Sequence, residues 1–172
     1  MRKKIVVLDD YENSYEKLSN WNAIKGLADV QIFNQPLLGA ALLEKIQDAH
    51  ALVLMRDRTP LKADLIAQLK QLEYVVFTGT RNLALDSEAL KQRGIPVSHT
   101  DWGPSKDSTA ELTWALLLGL HKRLVEQNKL IIDQQWRNQH SLLPVLKGQT
   151  LGLVGLGEIG SRVAKVLSLI HI

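Results

Sequence analysis

Gly155-Leu156-Gly157-Glu158-Ile159-Gly160 is the run in this 172-residue chain whose residue types and spacing point most directly to a chemistry. A tight turn at Gly155, a side-chain-free approach at Gly157 and close helix packing at Gly160 make a cradle for a pyrophosphate. Such a run carries weight only in context, with a strand before it and a helix after it. Leu151-Gly152-Leu153-Val154 reads as that strand, and Arg162, Val163, Ala164 and Val166 continue at helical spacing. The first helical N–H groups, helped by the helix dipole, then face the phosphates. An acidic residue to hold the ribose is expected about 20 residues further on. That position falls past residue 172, so NAD and NADP are not distinguished.

A second constellation points elsewhere. Asp9-Asp10 after the first apolar run, Asp57 after the third and Thr78 after the fourth mimic a receiver-type phosphoacceptor domain, which gathers carboxylates around Mg²⁺. Such a domain also wants a lysine after the fifth strand, where this chain has Ser98-His99-Thr100, and it leaves the glycine cradle without a purpose. The plainer reading of Asp9-Asp10 is a solvated strand end. His50, His99, His121 and His140 fall in helices or connecting loops with no partner evident and read as structural. No metal site is expected.

The elements that must position these residues alternate. Lys4–Leu8, Val30–Phe33, Ala51–Met55, Tyr74–Phe77 and Ile95–Val97 are short apolar, β-branched runs that read as strands. Between them lie a polar amphipathic stretch ending near Gly26 and helical patterns over Gly39 to Ala49, Ala63 to Leu72 and Asp86 to Arg93. Continuous apolar strands alternating with amphipathic helices predict a parallel sheet covered on both faces. The fold class is therefore α/β: a flavodoxin-like doubly wound parallel sheet over 1–105, with ligands expected beyond the strands' carboxyl ends. The turn-rich Asp101-Trp102-Gly103-Pro104-Ser105 is the expected boundary. Beyond it, Ser108 or Asp107 is placed to cap a long helix running toward Leu124, with Glu111 completing a capping box. A second helical stretch is expected over 126–139, and 106–166 as a whole reads as the start of a Rossmann dinucleotide-binding domain.

Composition excludes several classes. The net charge is +3, with no basic stripe to serve a nucleic-acid interface. There is no cysteine, which rules out disulfides and thiolate metal sites within this sequence and suits a cytoplasmic setting. No apolar run approaches the ~20 residues of a membrane span.

Several motifs together resemble one family. Lys147-Gly148-Gln149-Thr150-Leu151-Gly152-Leu153-Val154-Gly155-Leu156-Gly157-Glu158-Ile159-Gly160 resembles the nucleotide-binding entry of the D-isomer-specific 2-hydroxyacid dehydrogenases, the phosphoglycerate dehydrogenase-like group among them. Ser108-Thr109-Ala110-Glu111-Leu112-Thr113-Trp114-Ala115-Leu116-Leu117-Leu118 resembles the helix that opens their cofactor domain. Arg93-Gly94-Ile95-Pro96-Val97, Thr78-Gly79-Thr80 and Trp136 also fall where that family has them.

The resemblance implies hydride transfer between NAD or NADP and a small 2-hydroxy acid, in a homodimer. It implies substrate contacts at Arg56, Thr78, Gly79 and Arg81, and cofactor contacts at Thr80 and at Gly155, Leu156, Gly157, Glu158, Ile159 and Gly160. The loop departs from the common family pattern at Gly79-Thr80-Arg81-Asn82. There Arg81 either adds a fixed cation near the substrate carboxylate or points to solvent. The proton-exchanging histidine, its carboxylate and the clamping arginine are implied to lie downstream of residue 172, so this chain is expected to be inactive and no residue in it is assigned a catalytic role. A non-catalytic, corepressor-like dinucleotide sensor on the same fold is the alternative. Leu167-Ser168-Leu169-Ile170-His171-Ile172 leaves the family pattern and coincides with the translation of a transposase sequencing adaptor (CTG TCT CTT ATA CAC ATC). On that reading 167–172 is a non-native tail on a gene fragment.

Overall fold

Five apolar runs become strands: β1 (Lys3–Val7), β2 (Ala28–Ile32), β3 (Ala51–Leu54), β4 (Tyr74–Phe77) and β5 (Val97–His99). The computed structural model describes residues 2–18, 20–139 and 142–169. The strands lie in the order β2-β1-β3-β4-β5, each neighbouring pair parallel. This is the flavodoxin-like doubly wound order. Register is set by apolar pairs such as Val7↔Val53 and Leu54↔Phe77. Successive strand residues face opposite sides of a sheet. Val6 and Val7 are both fully buried, so both faces of β1 are covered.

The connections are α1 (Tyr15–Leu18), α2 (Asn22–Lys25), α3 (Gly39–Ile46), α4 (Ala63–Gln68) and α5 (Ser87–Gln92). Ile46 of α3, Ile66 of α4 and Leu90 of α5 join Val6, Leu52 and Val75 in one core. Helix ends follow local chemistry. The Asp86 carboxylate accepts the Ala89 N–H at 3.0 Å and caps α5. The helix expected over Ala63 to Leu72 stops at Gln68, where Leu69 leaves the helical region (φ −84°, ψ 74°), and the Arg93 guanidinium donates to the carbonyls of Ile66 and Leu69 at that end.

These elements belong to the first of two units, Met1–Asp101 and Trp102–Ile172. In the second, α6 (Ser105–His121) starts three residues before the expected Ser108 cap, directly after Pro104. Ser108 and Glu111 therefore lie inside the helix and form no capping box there. The Thr109 hydroxyl bonds back to the Ser105 carbonyl at 2.8 Å. The helix ends earlier than expected too, at His121, because Arg123 takes a left-handed conformation (φ +45°) ahead of α7 (Leu124–Ile132). Residues 133–139 are not helical.

Leu151–Val154, expected as a strand, is not one: among the described residues no strand pairs with it, and Val154 is fully exposed. A strand exists by virtue of its ladder, and an apolar sequence alone does not supply one. The helix after the glycines forms as expected: α8 (Glu158–Leu169), whose last residues fall within the expected non-native tail. The rest of that tail, 170–172, lies outside the described residues, as does His140. Among the described residues no helix is long and apolar enough to cross a membrane.

Candidate functional site

In the first unit the sequence-predicted residues gather at the carboxyl ends of β3 and β4. Arg56 lies two residues past β3 with φ +53°, a left-handed conformation that side-chain-bearing residues avoid. Its backbone N–H donates to Thr78 Oγ1 at 3.0 Å, and its carbonyl accepts from Asn82 Nδ2 at 2.6 Å. Thr78 Oγ1 also donates to Met55 Sδ at 3.2 Å. The N–H of Gly79, itself at φ +96°, donates to Thr100 Oγ1 at 2.9 Å. With that N–H engaged, what Gly79 brings to the turn is a conformation that other residues adopt only under strain. Thr80 is half-buried; Arg56 and Arg81 are exposed. Asn82 is the residue that sequence reasoning missed here. Its signal was the same departure that drew attention to Arg81.

The end of β1 corrects an expectation. Asp9 and Asp10 are each only 2% exposed, so they are not a solvated strand end. The Asp9 carboxylate accepts from the Thr59 hydroxyl on one oxygen and from the Tyr11 hydroxyl, at 3.0 Å, on the other. Asp10 accepts the Ser14 N–H at 2.9 Å and the Tyr15 N–H at 3.1 Å, capping α1. Both carboxylates thus serve the fold. Arg58 donates to the Asp9 carbonyl at 2.7 Å, pairs with Glu12 at 2.8 Å and lies 4.5 Å from the centroid of the Tyr11 ring. The hydrogen bond from Arg58 holds the Glu12 carboxyl below its usual range. Desolvation, then the bond to Asp9, holds the Tyr11 phenol above its own. The segment after β3 is therefore tied to β1 through Arg58 and Thr59 and to β4 through Arg56. His50 has a partner after all: its Nδ1 accepts the Lys4 N–H at 3.2 Å, before β3 begins.

In the second unit the glycine run keeps its turn without a strand ladder. Gly155 has φ +90°. A Cβ on Gly160 would stand 2.2 Å from the Gly155 carbonyl oxygen, closer than any side chain tolerates. A Cβ on Gly157 would meet nothing within 4 Å. The turn is thus closed by backbone packing on one side and open at Gly157, which is the shape a diphosphate requires. Leu156 and Ile159 are exposed beside it. The turn is carried by α8, which packs on α6 through Ala110, Trp114 and Val163, with the buried Trp114 Nε1 donating to the Val163 carbonyl at 3.2 Å.

Glu158 opens α8, and its carboxylate is held by Lys106 and lies 3.7 Å from Arg162. The bond from Lys106 keeps its carboxyl below the usual glutamate range. Arg162 also bonds Asp107 at 2.7 Å. These bonds offset the negative charge of Glu158 at the start of the helix. Lys106 carried no such signal in the sequence, lying 52 residues away from its partner.

Comparison with known proteins bears on the family and the fold. The family model for the D-isomer specific 2-hydroxyacid dehydrogenase, catalytic domain, matches residues 5–163. The glyoxylate reductase of Aeropyrum pernix is 34% identical over 148 residues, which are 80% of this chain and 43% of that protein. The D-3-phosphoglycerate dehydrogenase of Homo sapiens is 34% identical over 130 residues, 76% of this chain and 24% of that protein. The crystal structure of phosphoglycerate oxidoreductase from Vibrio cholerae aligns with a TM-score of 0.79 at 30% identity, covering all of this chain and 54% of that one. The chain thus spans less than half the length of these curated relatives.

Proposed function

The chain belongs to the D-isomer-specific 2-hydroxyacid dehydrogenase family, and on that footing we propose that its parent protein moves a hydride between NAD or NADP and a small 2-hydroxy or 2-oxo acid. The observation that carries this reading is the closed-and-open glycine turn, shut at Gly155–Gly160 and clear at Gly157. Gly155, Leu156, Gly157, Glu158, Ile159 and Gly160 hold the pyrophosphate through backbone, and Thr80 is a further cofactor contact. Arg56 supplies the fixed cation for the substrate carboxylate, with Gly79 shaping the turn beside it and Arg81 a second cation. When bound, the nicotinamide donates or accepts the hydride at C2 of the acid. Glyoxylate, named in the Aeropyrum relative, fits the substrate class, as do hydroxypyruvate and phosphohydroxypyruvate.

The proposal gives this chain binding roles alone. His50 precedes β3, His99 ends β5 and His121 ends α6; none is assigned the proton. A cytoplasmic homodimer is part of the same reading. Leu112, Leu116 and Leu120, which are 58%, 65% and 83% exposed, recur every four residues and so make one apolar face on α6.

The test is titration of the 172-residue chain with NADH, following quenching of its tryptophans. Binding is expected, and Gly157→Asp, which puts a carboxylate into the open side of the turn, should abolish it. Binding that survives this change overturns the reading. No NADH oxidation is expected with glyoxylate, hydroxypyruvate or phosphohydroxypyruvate; turnover would place catalytic groups within these residues.

A further inference from the structure

We propose that Thr78 and Asn82 are positioning residues that lock the backbone of Arg56, joining the turns after β3 and β4 into one carboxylate-binding unit. The inference rests on the reading of Arg56 as the substrate arginine.

A left-handed arginine does not hold itself, since its own Cβ opposes the conformation. Something outside residue 56 has to fix it. The two polar groups of its backbone are gripped from the same neighbouring turn, the N–H by Thr78 Oγ1 at 3.0 Å and the carbonyl by Asn82 Nδ2 at 2.6 Å. Each gripping side chain is itself oriented. The Thr78 hydroxyl donates to Met55 Sδ at 3.2 Å, leaving its oxygen to accept from Arg56. Asn82 Oδ1 accepts the Ala84 N–H at 2.9 Å, which turns the NH₂ end of the amide toward Arg56. Valine would fill the space of Thr78 and accept nothing, and alanine at 82 would leave the Arg56 carbonyl without its donor.

The other anchors of this segment act further along. Thr59 bonds the Asp9 carboxylate, and Arg58 bonds the Asp9 carbonyl. They fix residues 58 and 59 to β1, and the Arg58 N–H closes the turn on the Met55 carbonyl at 3.3 Å, while the N–H and carbonyl of residue 56 itself are held by Thr78 and Asn82. The hydroxyl of Thr78 thus acts through Arg56. An arginine whose backbone is already fixed beside the Gly79–Thr80 turn has less to order when it meets a carboxylate, and preorganisation of that kind raises affinity.

The experiment is calorimetric titration of the 172-residue chain with oxalate, a stable dianion that presents the adjacent carboxylate and oxygen of a 2-oxo acid. The wild type should bind, and Arg56→Met should not. Thr78→Val and Asn82→Ala should each weaken oxalate roughly five- to tenfold, the worth of one lost hydrogen bond. Thr78→Ser, which keeps the hydroxyl, should stay within about twofold. Melting temperatures and the exchange rate of the Arg56 amide proton are read on the same samples. A purely structural role would lower the melting temperature of Thr78→Val and spare its affinity. Wild-type affinity in Thr78→Val, or in Asn82→Ala should the valine variant not fold, overturns the inference and leaves the reading of Arg56 standing. Oxalate binding that persists in Arg56→Met, or is missing from the wild type, overturns that reading and the inference with it.

Discussion

The carbonyl oxygen of Gly155 occupies the place where a side chain on Gly160 would begin, 2.2 Å from an ideal Cβ. Gly157, three residues earlier in the same turn, faces open space. The two glycines should therefore fail differently. Gly160→Ala must displace backbone, and a destabilisation of the second unit by about 1–3 kcal/mol is expected. Gly157→Ala should leave stability within about 0.5 kcal/mol of wild type while weakening NADH binding. Thermal unfolding and titration of both variants check this; equal melting temperatures would contradict it.

Thr59 and Asp9 form a buried pair across 50 residues of chain. Thr59→Val keeps the shape and removes the donor, leaving a buried carboxylate oxygen unsatisfied. A loss of about 1–3 kcal/mol is expected in urea unfolding, largely restored by Thr59→Ser. A valine variant as stable as wild type would mean that Asp9 finds a substitute donor.

Tyr15 has a buried hydroxyl without a hydrogen-bond partner among the described residues, and its pKa is pushed up to about 12, chiefly by burial and then by Asp10. An unfolded tyrosine ionises near pH 10. Between those values the unfolded chain loses its proton first, so stability should fall as pH rises from about 10 toward about 12. Tyr15→Phe should remove that part of the alkaline slope and cost nothing at neutral pH. Urea midpoints measured across the alkaline range provide the check, and an unchanged slope would count against it.

Glu158 titrates in the opposite sense. Its folded pKa is depressed, first by the hydrogen bond from Lys106, so its contribution is present above the ordinary glutamate pKa of about 4.3 and is lost as pH falls through the lower folded value. Lys106→Met should bring the Glu158 titration back up toward the ordinary range. Carboxyl carbon NMR reads this directly, and an unmoved titration would show that Arg162 holds the group alone.

The sheet was legible because parallel strands buried on both faces announce themselves as unbroken apolar runs. Lys4–Leu8 and Ala51–Met55 sit within a residue of β1 and β3. What escaped depends on partners distant in sequence. Asp9 and Asp10 look like polar punctuation, and only the meeting of β1 with the segment after β3 shows Asp9 to be buried against Thr59. α4 ends early at Gln68, beside a bond to the Ile66 carbonyl from Arg93, 27 residues away. The left-handed Arg123 that divides α6 from α7 has no glycine or asparagine to betray it. Leu151–Val154 has a strand's composition without a strand's partner. At the site, the glycine turn was readable because its logic is backbone geometry. Asn82 was not, because its work lies in holding another residue's carbonyl.

The left-handed turn after β3 sets two demands on residue 56 that no single amino acid meets well. Backbone geometry at φ +53° favours glycine or asparagine, whereas the carboxylate proposed for this site calls for a cation. Replacing Arg56 with glycine should therefore make the protein harder to unfold and poorer at its task. In a library selected for thermal endurance alone, the arginine would be among the first residues discarded; in one selected for turnover by the parent enzyme, it should persist at a standing thermodynamic disadvantage.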